Sequence, residues 1–154
     1  MMSAVSTSPE ELQALYRELI LDHARSPRNF GKLEDATHEA EGINPLCGDK
    51  LKLYIDINDD RISGVRFEGS GCAISVASAS LLTETVVGMT TAEAIQQFTV
   101  VVDTLTGNAS SADLGKLTAL LGVREFPSRV KCATLAWHAL SAAINEAQQP
   151  ATTE

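Results

Sequence analysis

Three cysteines and one aspartate are the side chains of this sequence whose types and spacing best suit chemistry. Cys47 and Asp49 flank Gly48, whereas Cys72 and Cys132 occur singly further along the chain. In an extended segment the side chains of residues i and i+2 lie on the same side, and a glycine between them lets the backbone bend toward an ion. Three thiolates and one carboxylate form a tetrahedral set that zinc accepts, and the same set could hold iron and sulfide.

The cysteines also have a plainer interpretation as residues that fill the core. Free Cys is among the most buried residue types, and Cys132 stands beside the apolar Val130 and Ala133. No CxxC pair occurs, so spacing alone is a weak signal for a shared site. The odd number of cysteines prevents complete pairing within the chain, which leaves free thiols or metal ligands as the two alternatives.

No second catalytic or ligand-binding motif stands out. His23 falls near the end of the first predicted helix, where the helix dipole favours a charged imidazolium without a ligand role. His38 lies in a polar stretch, and His138 suits packing or the surface of the last helix. The segment 69–72 lacks the lysine and the spacing of a phosphate-binding loop, and no Ser–His–Asp order is present. Hydrolase and nucleotide-binding functions therefore have little support.

Length and charge limit the classes of protein that fit. A chain of 154 residues, 44% of them hydrophobic, predicts one domain over 1–154 with frayed ends at about 1–7 and 148–154. The net charge of −8, without a basic cluster, argues against nucleic acid as a partner. The longest nearly uncharged stretch, 73–82, is too short to cross a membrane, and the N-terminus does not resemble a secretory signal. We therefore expect a cytoplasmic protein.

The elements that would position the cysteines can be read from periodicity and capping residues. Ser8 as N-cap, Pro9 and Glu11 predict the start of a helix that ends near Arg25. Alternating apolar residues predict a strand over 50–57, joined through a turn at 58–60 to a returning strand, with a third strand ahead of them. The predicted strands cover 37–43, 50–57 and 62–68, and the later helices cover 73–87, 91–105, 114–121 and 128–147.

Strands first and helices afterwards predict an α+β domain, in which helices pack on one face of a small antiparallel three-stranded sheet. Within this arrangement Cys47 falls in a loop before a strand, Cys72 at a strand-to-helix junction and Cys132 near the start of the last helix. Side chains at the ends of separate elements can converge on one point, and a helix N-terminus favours a thiolate.

Three motifs surround these residues: NPLCGD at 44–49, GSGCAIS at 69–75 and RVKCATLAW at 129–137. In this order they resemble the IscU/SufU (NifU-like N-terminal) family of iron–sulfur cluster assembly proteins. Two features are similar to the SufU branch: a longer segment between the last two cysteines, with an insertion around 108–127, and Lys131 where scaffold members carry a histidine. The resemblance implies zinc on Cys47, Asp49, Cys72 and Cys132, with Arg129 beside the site.

The resemblance also implies a function. SufU-type proteins are zinc-bound sulfur acceptors that activate a PLP-dependent cysteine desulfurase and pass sulfur to downstream iron–sulfur scaffold proteins, acting as a sulfurtransferase partner rather than a stand-alone enzyme. By the same resemblance, a histidine of the desulfurase would take one zinc position and free Cys47 as the nucleophile. Arg129 would then stabilise the freed thiolate or pair with Asp49, unless it only faces solvent. The alternatives are a scaffold for a [2Fe–2S] cluster and a purely structural zinc domain.

Overall fold

One helix precedes three strands, and the remaining helices follow them. The computed structural model describes residues 9–107, 114–147 and 149–153, without the side chains of Pro9 and Leu12. The predicted N-cap Ser8, the end at 1–7 and the start of the insertion at 108–113 lie outside these residues. The elements are α1 (Pro9–Arg25), β1 (His38–Asn44), β2 (Asp49–Asn58), β3 (Arg61–Ser70), α2 (Ala73–Val86), α3 (Thr91–Leu105), a 3₁₀ segment (Gly115–Val123), α4 (Pro127–Ile144) and β4 (Ala151–Thr152).

The sheet has the strand order β3-β2-β1-β4, so the prediction of three strands was one strand short. β1 pairs with β2, and β2 with β3, in antiparallel register, as predicted. β4 adds a parallel pairing of Ala151 with Gly42 and of Thr152 with Ile43. A strand this short has no alternating pattern in the sequence, and it forms because the outer edge of β1 is available to it. It lies within the C-terminal tail for which we predicted fraying.

The turn between β2 and β3 has the chemistry that the sequence predicted. Asp59 and Asp60 adopt positive φ angles of 52° and 63°, as a type I′ hairpin turn requires. Aspartate tolerates this left-handed conformation better than most residues. The hairpin is therefore closed tightly, and β2 and β3 run together to the end of the sheet where Asp49 and Ser70 lie.

The core lies between the sheet and the helices that cover one of its faces, as predicted. Leu53 and Ile55 of β2 are fully buried, and so is Trp137 of α4. α4 contacts β1, β2, α2 and α3, which makes it the central helix of the domain. The indole Nε1 of Trp137 donates a hydrogen bond of 3.2 Å to Ser78 Oγ of α2. None of the helices in the described ranges is long and apolar enough to span a membrane.

The described part of the insertion forms a 3₁₀ helix where we predicted a helix over 114–121. It begins at Gly115, which has a positive φ of 56°, and ends at Val123. A second glycine at 122 further lowers the α-helical propensity of this short segment. Leu117 and Leu120 are buried, and the segment contacts all four helices, so it forms part of the core.

Candidate metal centre

The loop between β1 and β2 carries Cys47 and ends at Asp49. Asn44 and Asp49 are the last paired residues of the two strands, so residues 45–48 form the loop between them. Cys47 is exposed, and Gly48 has a positive φ of 71° with nothing within 4 Å of the place a Cβ would take. Asp49, in contrast, is only 1% exposed. The hairpin thus offers one accessible thiol and one buried carboxylate.

Cys132 completes a tight group with these two residues. One ligand atom from each of Cys47, Asp49 and Cys132 lies within 4.8 Å of the other two. Ligand atoms around a tetrahedral zinc with bonds of about 2.0–2.3 Å are roughly 3.3–3.8 Å apart, so small movements would bring the three onto one ion. Cys132 lies in the first turns of α4 and is 2% exposed.

Cys72 lies beside this group as the N-cap residue of α2. Its backbone N–H donates a hydrogen bond of 2.8 Å to Asp49 Oδ1. Its thiol lines the same cavity as Cys47 and Cys132, a cavity of about 510 Å³. The tight group itself does not include Cys72. The four predicted ligands thus meet at one place, with the Cys72 side chain the furthest from a ligating position.

The Asp49 carboxylate lies so close to Gly71 that only a residue without a side chain leaves room for it. A Cβ at Gly71 would stand 3.0 Å from Asp49 Cγ and closer still to Oδ1. Such distances are shorter than real Cβ contacts, so a larger residue would displace the carboxylate. Sequence reasoning did not assign this role to Gly71, although the residue lies in one of the three motifs.

Asn44 is a second residue that sequence reasoning missed. It is fully buried, and its Nδ2 donates to Asp49 Oδ2 at 3.4 Å and to Cys132 Sγ at 3.6 Å. Its Oδ1 is buried, and no group in the described part of the chain forms a hydrogen bond with it. The signal that could have found it is its place three residues before Cys47, at the first position of the NPLCGD motif.

The electrostatics of the site favour a cation. Burial is the main cause that raises the pKa of the Cys132 thiol, and the neighbouring Asp49, Cys47 and Cys72 raise it further. Packed together without a cation, such groups resist ionisation. A divalent cation would reverse this balance and hold the thiols as thiolates. A donor set of thiols and a carboxylate, partly buried and supported by hydrogen bonds, therefore fits zinc.

Arg129 lines the same cavity as the cysteines. Its guanidinium carbon lies 5.7 Å from the centre of the Phe126 ring. Among the described residues no ion pair joins Arg129 to Asp49, whose oxygens instead accept from Cys72 and Asn44. Arg129 is exposed, which is compatible both with stabilising an anion beside the cavity and with a residue that only faces solvent.

The histidines of the described chain stay outside the group of ligands. The expectation of a charged His23 at a helix end does not agree with its position. His23 is 1% exposed, and its Nδ1 lies 2.7 Å from Ser80 Oγ. Burial lowers the pKa of His23, so the neutral imidazole is favoured. α2 packs over this end of α1, which periodicity alone does not reveal.

The sequence is similar to a known domain family and to characterised proteins from other organisms. Residues 15–152 match the NifU-like N terminal domain. The chain is 41% identical over 135 residues to the zinc-dependent sulfurtransferase SufU of Bacillus subtilis (strain 168), covering 86% of this chain and 91% of that protein. It is 38% identical over 136 residues to the iron–sulfur cluster assembly scaffold protein IscU of Streptococcus pyogenes serotype M1, with 87% and 85% covered.

A solved structure agrees with the fold. The crystal structure of an iron–sulfur cluster assembly scaffold protein for the SUF system from Fervidobacterium islandicum AW-1 superimposes with a TM-score of 0.80 at 35% identity. The match covers 86% of this chain and 98% of that one. All four predicted ligands lie within residues 15–152, the part of the chain that matches the domain.

Proposed function

This chain belongs to the NifU-like N-terminal domain family of iron–sulfur cluster assembly proteins, and we propose that it serves there as a zinc-bound sulfur acceptor. The sulfur donor would be the persulfide of a PLP-dependent cysteine desulfurase. The acceptor would then pass the sulfur to downstream iron–sulfur scaffold proteins.

The observation that carries the proposal is the unequal exposure of thiols that lie together. Cys47 is exposed on a loop, whereas Cys132 is 2% exposed at the start of a core helix. In a purely structural zinc site all four coordination positions are filled by protein ligands that stay in place. One accessible thiol next to buried ligands instead suits a site in which a single ligand leaves and reacts.

Cys47, Asp49, Cys72 and Cys132 would hold the zinc. When bound, the ion supplies the positive charge that keeps the thiols deprotonated at neutral pH. Asp49 is fixed for this task by the Cys72 N–H and by Asn44. Cys72 and Cys132 are anchored at helix starts, so the loop residue Cys47 has the greatest freedom to turn outward.

The transfer step is a thiol exchange. The Cys47 thiolate attacks the outer sulfur of the donor persulfide, a new S–S bond forms, and the bond between the two donor sulfurs breaks. The desulfurase cysteine leaves as a thiolate, and Cys47 carries the persulfide. Arg129 lines the cavity into which Cys47 opens and would stabilise the anionic sulfur. No oxidant or reductant is consumed.

A scaffold for a [2Fe–2S] cluster is the second candidate. It is favoured by the donor set, which iron and sulfide also accept, and by the similarity to the Streptococcus pyogenes relative. Metal content after aerobic purification separates the two candidates. Colourless protein with about one zinc per chain supports the sulfur acceptor, whereas brown protein with iron and sulfide supports the scaffold.

Persulfide mapping tests the proposal directly. The protein is incubated with a cysteine desulfurase and free cysteine, and its peptides are then analysed by mass spectrometry. We expect persulfide on Cys47, and we expect Cys47→Ser to abolish both sulfur uptake and stimulation of the desulfurase while the fold is kept. Cys72→Ser, the same change at a ligand that is not the acceptor, should weaken zinc binding but leave Cys47 able to take up sulfur. Persulfide on Cys132 with unmodified Cys47 would overturn the assignment.

A further inference from the structure

Asn44 is a buried polar residue at the base of the loop that carries Cys47. It is the final paired residue of β1, directly opposite Asp49 of β2, and its side chain is 0% exposed. Its amide nitrogen contacts Asp49 Oδ2 at 3.4 Å and Cys132 Sγ at 3.6 Å. One side chain therefore joins the β-hairpin to α4 through two of the proposed ligands.

The orientation of the Asn44 amide follows from the charge of its neighbours. A carboxylate and a thiolate are hydrogen-bond acceptors, so the donor end of the amide must face them. This choice leaves Asn44 Oδ1 buried without a hydrogen-bond partner among the residues that the structure describes.

The proposed ligands differ in the hydrogen bonds that hold them in place. Both carboxylate oxygens of Asp49 accept hydrogen bonds, Oδ1 from the Cys72 N–H and Oδ2 from Asn44. Cys132 receives the second contact of the Asn44 amide and belongs to the core helix α4. Cys47 lies beyond the closing pair of the hairpin, on the exposed loop. The contacts of Asn44 thus go to the two buried ligands.

We propose that Asn44 is a positioning residue that holds Asp49 and Cys132 in their ligating places, so that the metal is retained when Cys47 is released. The inference rests on the proposed function, because it requires a metal site from which Cys47 departs. The amide reduces the mutual repulsion of two anionic ligands by placing N–H groups between them. Loss of a hydrogen bond to a metal ligand, made by a residue that does not itself bind the metal, typically lowers metal affinity by roughly 10–100-fold.

The test measures zinc affinity by competition with a chromophoric chelator, in protein with and without Cys47. Asn44→Asp keeps the shape of the side chain but replaces the donor with an acceptor, and Asn44→Ala removes it. We expect each to weaken zinc binding by roughly 10–100-fold. The loss should be largest in the Cys47→Ala background, where the metal depends on the remaining ligands. Absorption spectra of the Co²⁺-loaded variants should show altered thiolate coordination.

Ser78→Ala provides the matched control. Ser78 is also a fully buried polar residue, and its hydroxyl bridges α2 and α4 by donating to the Ala133 carbonyl and accepting from Trp137, bonds that reach α4 next to Cys132 but involve no ligand side chain. This variant should melt earlier than wild type yet bind zinc as tightly. Zinc affinity in both Asn44 variants equal to that of wild type would overturn the inference alone. A wild-type protein that binds no zinc would overturn the proposed function as well.

Discussion

At the residue scale, the site depends on how closely its backbone segments approach each other. Gly71 allows the segment before α2 to lie against the Asp49 carboxylate, and the next N–H, that of Cys72, donates to the same carboxylate. The absence of a side chain at position 71 is thus a condition for the position of a ligand.

Replacement of this glycine should weaken the metal site. In Gly71→Ala the added Cβ would collide with Asp49 Oδ1, so the carboxylate must move and the hydrogen bond from Cys72 must lengthen. We expect zinc affinity to fall at least about tenfold, which is the lower end of the effect seen when a hydrogen bond to a metal ligand is lost. Isothermal titration with zinc, or competition with a chelator, measures it.

Gly88→Ala is the control for this prediction. Both glycines have a positive φ, 156° at Gly71 and 90° at Gly88. A Cβ at Gly88 would meet nothing within 4 Å, and the residue is not part of the site. The control should lose some stability through backbone strain and keep its zinc affinity. If Gly71→Ala bound zinc as tightly as Gly88→Ala, the space around the Asp49 carboxylate would be large enough for a Cβ at position 71.

The residues of the site differ in how far the sequence could predict them. Cys47, Asp49, Cys72 and Cys132 could be proposed because three thiols and a carboxylate form a set that zinc accepts, and because the motifs around them resemble a known family. Asn44 and Gly71 could not, because their roles are distances to other side chains: a buried amide between two ligands and a missing Cβ beside a carboxylate. Residue type alone does not encode such distances.

At the element scale, the packing of α1 against α2 buries a titratable group. His23 Nδ1 lies 2.7 Å from Ser80 Oγ, and its Nε2 lies 3.7 Å from the Glu84 carboxylate. Burial is the main cause that lowers the pKa of His23, and the Arg28 charge acts in the same direction, while Glu84 opposes them. The contact between the two helices therefore favours a neutral imidazole.

This contact should make stability depend on pH. The pKa of His23 is lower in the folded protein than the unfolded value of about 6.5, so the unfolded chain binds the proton first and stability falls as pH decreases through that value. We expect the unfolding free energy of metal-free protein to decrease between about pH 7 and pH 5. Urea unfolding at each pH measures the slope. Metal-free protein is used because protons also displace zinc.

His23→Asn should reduce this slope, since asparagine can still hydrogen-bond Ser80 but does not titrate. His138, whose pKa is also lowered by burial, accounts for a remaining part. A slope in His23→Asn equal to that of wild type would show that the buried imidazole does not govern the pH response.

The elements also show why some structure is predictable and some is not. The hairpin of β2 and β3 follows from alternation and from the aspartates of its turn, whose positive φ angles suit that turn type. β4 does not, because a strand of two residues has no period and depends on the free edge of β1. The 3₁₀ geometry at Gly115–Val123 likewise depends on packing against all four helices.

At the scale of the whole molecule, the proposed ligands link three parts of the fold. Cys47 and Asp49 belong to the hairpin of β1 and β2, Cys72 caps α2, and Cys132 lies in the second turn of α4. An ion held by all four would therefore connect the sheet to two core helices, and its binding free energy would become part of the folding free energy. Without it, buried thiols and a carboxylate remain packed together without a counter-charge.

Removal of zinc should lower the melting temperature of the entire domain. With free zinc at ~100 times its Kd, binding adds about 2.7 kcal/mol to the stability, which raises the melting temperature of a domain of this size by about 5–10 °C.

The fluorescence of Trp137, the single tryptophan of the chain, measures this unfolding because the residue is fully buried on the same helix as Cys132. Its emission should shift to longer wavelength in one transition that coincides with the loss of helical circular dichroism, and a chelator should move both transitions down together. The double variant Cys72→Ser/Cys132→Ser should melt at the same temperature with and without zinc. An unchanged transition in metal-free wild-type protein would mean that the metal does not connect the sheet to the helices.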